Sequence, residues 1–298
     1  MNRPYRGRFA PSPTGPLHFG SLMAALASWL DARAHQGTWL VRMEDLDPPR
    51  EVAGAAQHII EALAVHGLES DEPVLFQSRR LSAYDAQLDW LANHGFLYPC
   101  SCNRQRLNSL GRVYDGHCLR QPPAPAEATA LRLHLPAPER PVYFEDAIQG
   151  PQRQVPAQDF GDTILKRKDG LHAYQLAVVV DDIHQGISHV VRGADLLDVS
   201  ARQQLLFEIL GATPPRWAHI PVINNLQGQK LSKQNHAPAL DLTRPGFNLY
   251  HALRLLGQQP PQALESQSPG ALLTWGAAHW QAARVPRQPN CTDPLFSH

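Results

Sequence analysis

Long apolar runs are missing from this 298-residue sequence; the run Leu176 to Val180, for example, is cut short by Asp181 and Asp182. Nothing approaches the roughly 20 apolar residues that a membrane-spanning helix needs. The start, Met1 to Arg8, carries charge with no apolar stretch behind it, which argues against a secretory leader. A cytoplasmic protein is expected. An excess of charge of one sign is also missing, since 27 Lys and Arg balance 27 Asp and Glu. That excludes coating of nucleic acid by bulk electrostatics, while a local basic patch touching a few phosphates stays open. Cysteine is scarce, at four. Three of the four fall between Cys100 and Cys118, which suits a metal site better than a disulfide framework; Cys291 stands apart. The G-x-G-x-x-G fingerprint is absent, so any nucleotide is held by other chemistry. There is no internal repeat and no recognisable nucleic-acid-binding motif.

What is present reads as alternating strands and helices. Arg6 to Ala10 leads into the turn-forming cluster Pro11-Ser12-Pro13-Thr14-Gly15-Pro16. Leu22, Leu26, Trp29 and Leu30 then recur at helical spacing, predicting a helix from near His18 to before Gly37. Thr38 to Met43 reads as a buried strand, and Pro48-Pro49 as the opening of a second helix that closes at Gly67. Val74 to Phe76 and Leu81 to His94 form a third strand–helix pair. This rhythm predicts an α/β fold with a doubly wound parallel sheet. It breaks near Tyr98, where cysteines and proline-rich patches suggest an inserted module containing a strand Leu131 to Leu135. It resumes with a helix near Tyr174, a strand His189 to Arg192 and a helix Ser200 to Leu210. The expected division is 1–97 and 173–225 as two halves of one catalytic domain, 98–172 as the insertion, and 226–298 as a loop and short helical region. The proline-rich tail from Val285 is expected to fray.

Two short constellations carry chemistry. His18-Phe19-Gly20-Ser21 falls at a strand-to-helix junction, where backbone N–H groups at a helix N-terminus suit phosphate. Gly20 allows close approach to the backbone, and His18 can donate to a phosphate oxygen. The bland reading is a capped amphipathic helix. Lys230-Leu231-Ser232-Lys233-Gln234 could grip a triphosphate and offset departing pyrophosphate; alone, two such lysines read as a solvated surface. A third group, Cys100, Cys102 and Cys118, supplies soft ligands for a structural zinc ion. Its fourth ligand is open between His117 and Tyr114.

Taken together and in order, these motifs resemble the class I aminoacyl-tRNA synthetases, with His18 to Ser21 as the HIGH-type and Lys230 to Gln234 as the KMSKS-type motif. Ser21 and Gln234 depart from the usual last residues of the two motifs. The resemblance narrows to the glutamate enzymes through Arg8 to Gly15, Arg42-Met43-Glu44-Asp45-Leu46-Asp47, and Val179 to Asp182 followed by His189 to Asp195. It implies a Rossmann-like fold that forms glutamyl-adenylate from ATP and L-glutamate, with Mg2+ arriving with ATP. It implies catalytic roles for His18, Lys230 and Lys233 and ATP contacts from Gly20, Ser21 and Lys233. Glutamate would be held by Arg8, Phe9, Ala10, Pro11, Ser12, Glu44, Tyr174 and Arg192. Arg8 and Arg192 would clamp carboxylates, with Arg192 reading the side chain, and Glu44 would face the α-ammonium.

The pattern Cys-x-Cys-x11-Tyr-x3-Cys is similar to the zinc site of the shortened members that act on queuosine in tRNA(Asp), which implies Zn2+ on Cys100, Cys102, Tyr114 and Cys118. The 65 residues after Lys233 (298 − 233) are too few for an anticodon-reading domain, in keeping with such a member. Transfer of glutamate to queuosine of tRNA(Asp), by a monomer, is therefore expected. The alternatives are charging of tRNA(Glu) or tRNA(Gln), or a non-catalytic binding protein. Arg104, Arg106, Arg112 and Arg120 form a candidate basic face for tRNA.

Overall fold

The computed structural model describes residues 3–111, 113–224 and 239–292. Strand β1 (Arg6–Phe9) turns through the proline cluster into helix α1 (Phe19–Ala34) and returns as β2 (Thr38–Met43), parallel to β1. In β2 all but the first residue are buried, as expected of a strand covered on both faces. Helix α2 (Ala55–Val65) leads to β3 (Leu75–Phe76), parallel to β2, and then to α3 (Leu81–Asn93). Pro48-Pro49 does not open α2, contrary to the sequence reading. Pro48–Arg50 is a separate 3-10 turn, ended where Glu51 becomes extended and Gly54 turns left-handed at φ 78°, a conformation that glycine tolerates and that breaks a helical path.

The next segment contains β4 (Leu97–Cys100), α4 (Arg104–Ser109), α5 (His117–Arg120), β5 (Ala130–Leu133), β6 (Val142–Asp146), β7 (Gly150–Gln154), α6 (Pro156–Asp159) and β8 (Ile164–Lys166). Strands β4, β5 and β8 form a small antiparallel sheet. Strands β6 and β7, although inside the 98–172 stretch, join a different sheet. Helix α7 (Tyr174–His184), β9 (His189–Gly193), α8 (Ser200–Ile209), β10 (Arg216–Ile220) and β11 (Val222–Asn224) follow, then α9 (Pro245–Leu255), α10 (Pro269–His279) and β12 (Asn290–Thr292). The second sheet has the order β7-β6-β10-β9, with β10 parallel to both β9 and β6. It meets the first at β1 and β9, where the Ser188 N–H donates to the Arg6 carbonyl at 3.0 Å. The parallel α/β architecture is therefore as expected.

Helix α1 lies over β1 and β9 and buries Leu22, Met23, Leu26 and Leu30. Helices α9 and α10 cover its other side through Leu249, Leu253 and Leu272. The packing is tight enough that a Cβ at Gly276 would come within 2.8 Å of Leu30. The tail does not fray through residue 292, also contrary to expectation. Val285 is buried in the core, and β12 pairs in parallel with β11 from Asn290 beside Val222. Ladder hydrogen bonds and one apolar anchor there outweigh the chain entropy that loosens most termini. No described helix is long and apolar enough to cross a membrane.

Candidate active site and cysteine cluster

A cavity of about 360 Å³ opens at the C-terminal ends of β1, β2, β9 and β10, the end at which parallel α/β sheets hold ligands. It gathers every predicted glutamate contact: Arg8, Phe9, Ala10, Pro11 and Ser12 from β1 and its turn, Glu44 beyond β2, Tyr174 at the start of α7, and Arg192 on β9. His18, Gly20 and Ser21 line the same space. Lys230 and Lys233 lie outside the described residues.

The two arginines differ in their surroundings. Buried Arg8 is anchored by Asp182, donating Nε to Oδ1 and Nη2 to Oδ2 at 3.2 Å each. Asp182 also accepts from fully buried Arg42 at 2.7 Å, and Arg42 reaches Glu44 at 3.5 Å. Burial alone would raise the Asp182 carboxyl, but the charges and hydrogen bonds of Arg42 and Arg8 hold it below the usual range. Burial also pushes Glu44 upward, with Arg42 and Arg8 opposing.

Arg192 has no carboxylate partner among the described residues. Its guanidinium lies over the Trp217 ring at 4.8 Å. It donates Nε to His219 Nε2 at 2.9 Å, Nη1 to Gln203 at 2.9 Å, and Nη2 to Ser200 Oγ at 2.8 Å and the Leu196 carbonyl at 3.2 Å. Four of its five N–H donors are thus engaged by neutral groups, leaving one on Nη1. Burial, and then the nearby Arg8 charge, pull its pKa down. A buried cation held by neutral groups is costly until an anion arrives. Tyr174, also beside this cation, is pushed up by burial.

His18 caps α1: its Nδ1 accepts from the Ser21 N–H at 3.2 Å, and its Nε2 lies 3.0 Å from Ser21 Oγ. The cap and the cavity wall are therefore one side chain: the capping reading of His18 is met, and the same ring lines the cavity. A Cβ at Gly20 would press the His18 ring at 3.3 Å, a second reason for glycine besides access to the backbone.

Several residues that build the site gave no local signal. His219 from β10 and Gln203 and Ser200 from α8 reach Arg192, and Asp146 at the end of β6 holds His219. The Asp181-Asp182 pair is split between two tasks. Asp182 holds the arginines, while Asp181 accepts from Gln77 at 2.9 Å, Arg80 at 2.6 Å and the Tyr84 hydroxyl at 2.6 Å, tying α7 to α3. In the second-strand motif, Asp45 accepts from the Ser78 N–H at 2.9 Å and from its hydroxyl at 2.6 Å, holding the turn after β3.

Away from this cavity, the Sγ atoms of Cys100, Cys102 and Cys118 lie within 4.8 Å of one another. The Tyr114 hydroxyl is 3.5 Å from both Cys100 and Cys102 and accepts from the Cys118 N–H at 2.9 Å. The ring nitrogens of His117 stay outside this group. Buried Arg132 donates Nε to Cys100 Sγ at 3.2 Å and covers the Tyr114 ring at 3.7 Å. The set could hold a metal ion. The candidate basic face is weaker than expected, because Arg106 pairs with Asp115 at 2.6 Å and Arg120 donates to the Asp115 carbonyl at 2.8 Å. Arg112 lies outside the described residues.

Comparison with known proteins agrees with this geometry. The family described as tRNA synthetases class I (E and Q), catalytic domain, matches residues 5–266. A glutamyl-Q tRNA(Asp) synthetase of Ectopseudomonas mendocina is 49% identical over 96% of this chain and 97% of its own length. One from Thiobacillus denitrificans is 51% identical over 97% of each. Among solved structures, a glutamate tRNA ligase from Elizabethkingia meningosepticum, crystallised with its amino acid, superposes with a TM-score of 0.80. It is 24% identical and covers 99% of this chain and 67% of that one, a likeness of fold. The chain belongs to the class I tRNA synthetase (E and Q) family, in the branch that its glutamyl-Q tRNA(Asp) synthetase relatives define.

Proposed function

We propose that this enzyme activates L-glutamate with ATP, without needing tRNA for that step, and passes the glutamate to queuosine of tRNA(Asp). The observation that carries the reading is Arg192, a buried guanidinium without a carboxylate partner among the described residues, facing a cavity that also holds Arg8 and Glu44. The substrate side-chain carboxylate supplies the missing anion. Arg8, fixed by Asp182 through Nε and Nη2, lines the same cavity and takes the α-carboxylate, and Glu44 balances the α-ammonium. An oxygen of the α-carboxylate attacks the α-phosphorus of ATP; the bond to the β-phosphate oxygen breaks, and pyrophosphate leaves with the electron pair. No side-chain nucleophile is required, so orientation and charge stabilisation carry the catalysis. The N-terminus of α1 and His18 serve the α-phosphate, and Lys230 and Lys233 offset charge on the leaving pyrophosphate. Mg2+ bound with ATP would neutralise further phosphate charge.

The test is glutamate-dependent exchange of labelled pyrophosphate into ATP without tRNA, followed by a separate transfer reaction with labelled glutamate, ATP and tRNA and analysis of the tRNA that takes up the glutamate label. Exchange with glutamate and little with aspartate or glutamine is expected. The label should then remain on a wobble-position nucleoside of tRNA(Asp). Label found as a 3′-terminal ester on tRNA(Glu) would replace the transfer half of the proposal with charging.

The cysteine group fits zinc by its chemistry: soft, buried donors converging from β4, the loop after it and α5. We assign Cys100, Cys102, Cys118 and Tyr114 as its ligands, with Zn2+ acting as a structural cross-link. Tyr114→Phe is expected to weaken zinc binding by about tenfold or more, and His117→Ala to leave it unchanged. Competition with a chromogenic chelator reads both, and the opposite order would return the fourth position to His117.

A further inference from the structure

Three adjacent parallel strands each present one polar side chain in a row. Asp146 ends β6, His219 lies near the end of β10, and Arg192 is its register partner on β9. Trp217 of β10 pairs with Asp146, so His219, two residues on, comes beside the same carboxylate. All three side chains are buried, and Asp146 and His219 are sealed almost completely.

The hydrogen bonds in this row have a fixed direction. Arg192 is always a donor, and its Nε–H points at His219 Nε2 from 2.9 Å. Nε2 must therefore accept, so the ring is neutral with its proton on Nδ1. Nδ1–H donates to Asp146 Oδ2 at 2.5 Å. The other oxygen, Oδ1, accepts from the backbone N–H groups of Ile148 at 3.1 Å, Gln149 at 2.8 Å and His219 at 3.1 Å. Burial, against the pull of Asp146, lowers the His219 pKa and so agrees with a neutral ring.

We infer that Asp146 and His219 are positioning residues that fix the Arg192 guanidinium, and that through it they set the affinity for a carboxylate-bearing amino acid. The inference rests on the reading of Arg192 as the side-chain carboxylate contact. Neither residue lines the cavity, so neither touches substrate. Their effect is on one donor: holding Nε against His219 leaves the last Nη1 N–H facing the site.

Asp146→Asn tests this with little change of volume. Three backbone N–H groups converge on Oδ1, so the asparagine must keep its oxygen there and turn its NH2 towards His219 Nδ1. Nδ1 then has to accept and the proton moves to Nε2, where it opposes the Arg192 N–H. In protein labelled with 15N-histidine, the D146N ring should read as the Nε2–H tautomer. The KM for glutamate in pyrophosphate exchange should rise about tenfold to a hundredfold, with the KM for ATP unchanged. A ring that keeps its Nδ1 proton, or an unchanged glutamate KM with an inverted ring, overturns the inference. Should D146N fail to fold, His219→Gln and His219→Phe take its place. The glutamine amide carries a donor and an acceptor on one planar group and should largely restore the glutamate KM that phenylalanine raises; equal values would overturn the relay. Wild-type enzyme that ignores glutamate would remove the functional reading instead. The histidine tautomer, which needs no substrate, still reports on the relay in that case.

Discussion

Arg192→Lys is expected to raise the KM for glutamate by about two to three orders of magnitude while the KM for ATP changes little. The reason is the way the cation is built in. Arg192 is held by His219, Gln203, Ser200 and the Leu196 carbonyl; among the described residues no carboxylate bonds it directly, and Asp182 and Glu44 act on it only through space. Leaving a buried charge unmatched costs about 3–5 kcal/mol, which is the advantage a substrate carboxylate gains by filling the place and corresponds to about a hundredfold to several thousandfold in affinity. Lysine keeps the charge but has neither the planar fork nor a donor for His219 Nε2, so the point of contact shifts. Glutamate-dependent pyrophosphate exchange measures the effect. A rise confined to ATP, or no change in either constant, would show that the side-chain carboxylate binds elsewhere.

Asp182→Ala should be the most destabilising single change at the site, by about 3–5 kcal/mol, since it strips a carboxylate from two buried arginines at once. Arg8 has no other carboxylate partner among the described residues, and Arg42 would keep Glu44 at 3.5 Å. A fall in melting temperature on the order of 10 °C is expected, together with loss of glutamate binding as Arg8 swings away from its anchor. Asp182→Asn should fall between the two, keeping the shape and losing the charge. The pH dependence has a definite sign. The Asp182 carboxyl is held below the ordinary range in the folded protein, so its contribution is complete above the unfolded value of about 3.9. It is lost as pH falls through the lower folded value. Acid unfolding curves of wild type and D182N should therefore converge towards low pH. Curves that stay parallel would mean that the carboxylate charge contributes nothing.

Much of the site was legible because its parts sit in short, ordered segments. Arg8 to Ser12, His18 to Ser21, Glu44 and Arg192 each fall at the end of a strand or the start of a helix, and the parallel topology carries all of those ends to one place. Element types were legible for the same reason, since Trp39 to Met43 is an unbroken buried run and α1 shows a regular apolar period. The failures were at punctuation. Pro48-Pro49 looks like a helix start, but Gly54 decides where α2 begins. The proline-rich tail looks loose, but it pairs with β11.

The sequence by itself determined the class of chemistry, because residue type and the order of short motifs are written along the chain: two arginines inside matched motifs, a histidine at a helix start, a lysine pair and a cysteine group with a tyrosine. Tertiary structure alone decided how the arginines differ. Asp182 comes to Arg8 from 174 residues away, and Asp146 reaches His219 across 73. Whether a buried guanidinium is neutralised by the fold or left for a ligand depends on those long-range partners. Coulomb and desolvation energies follow distance through space, which separation along the chain does not encode.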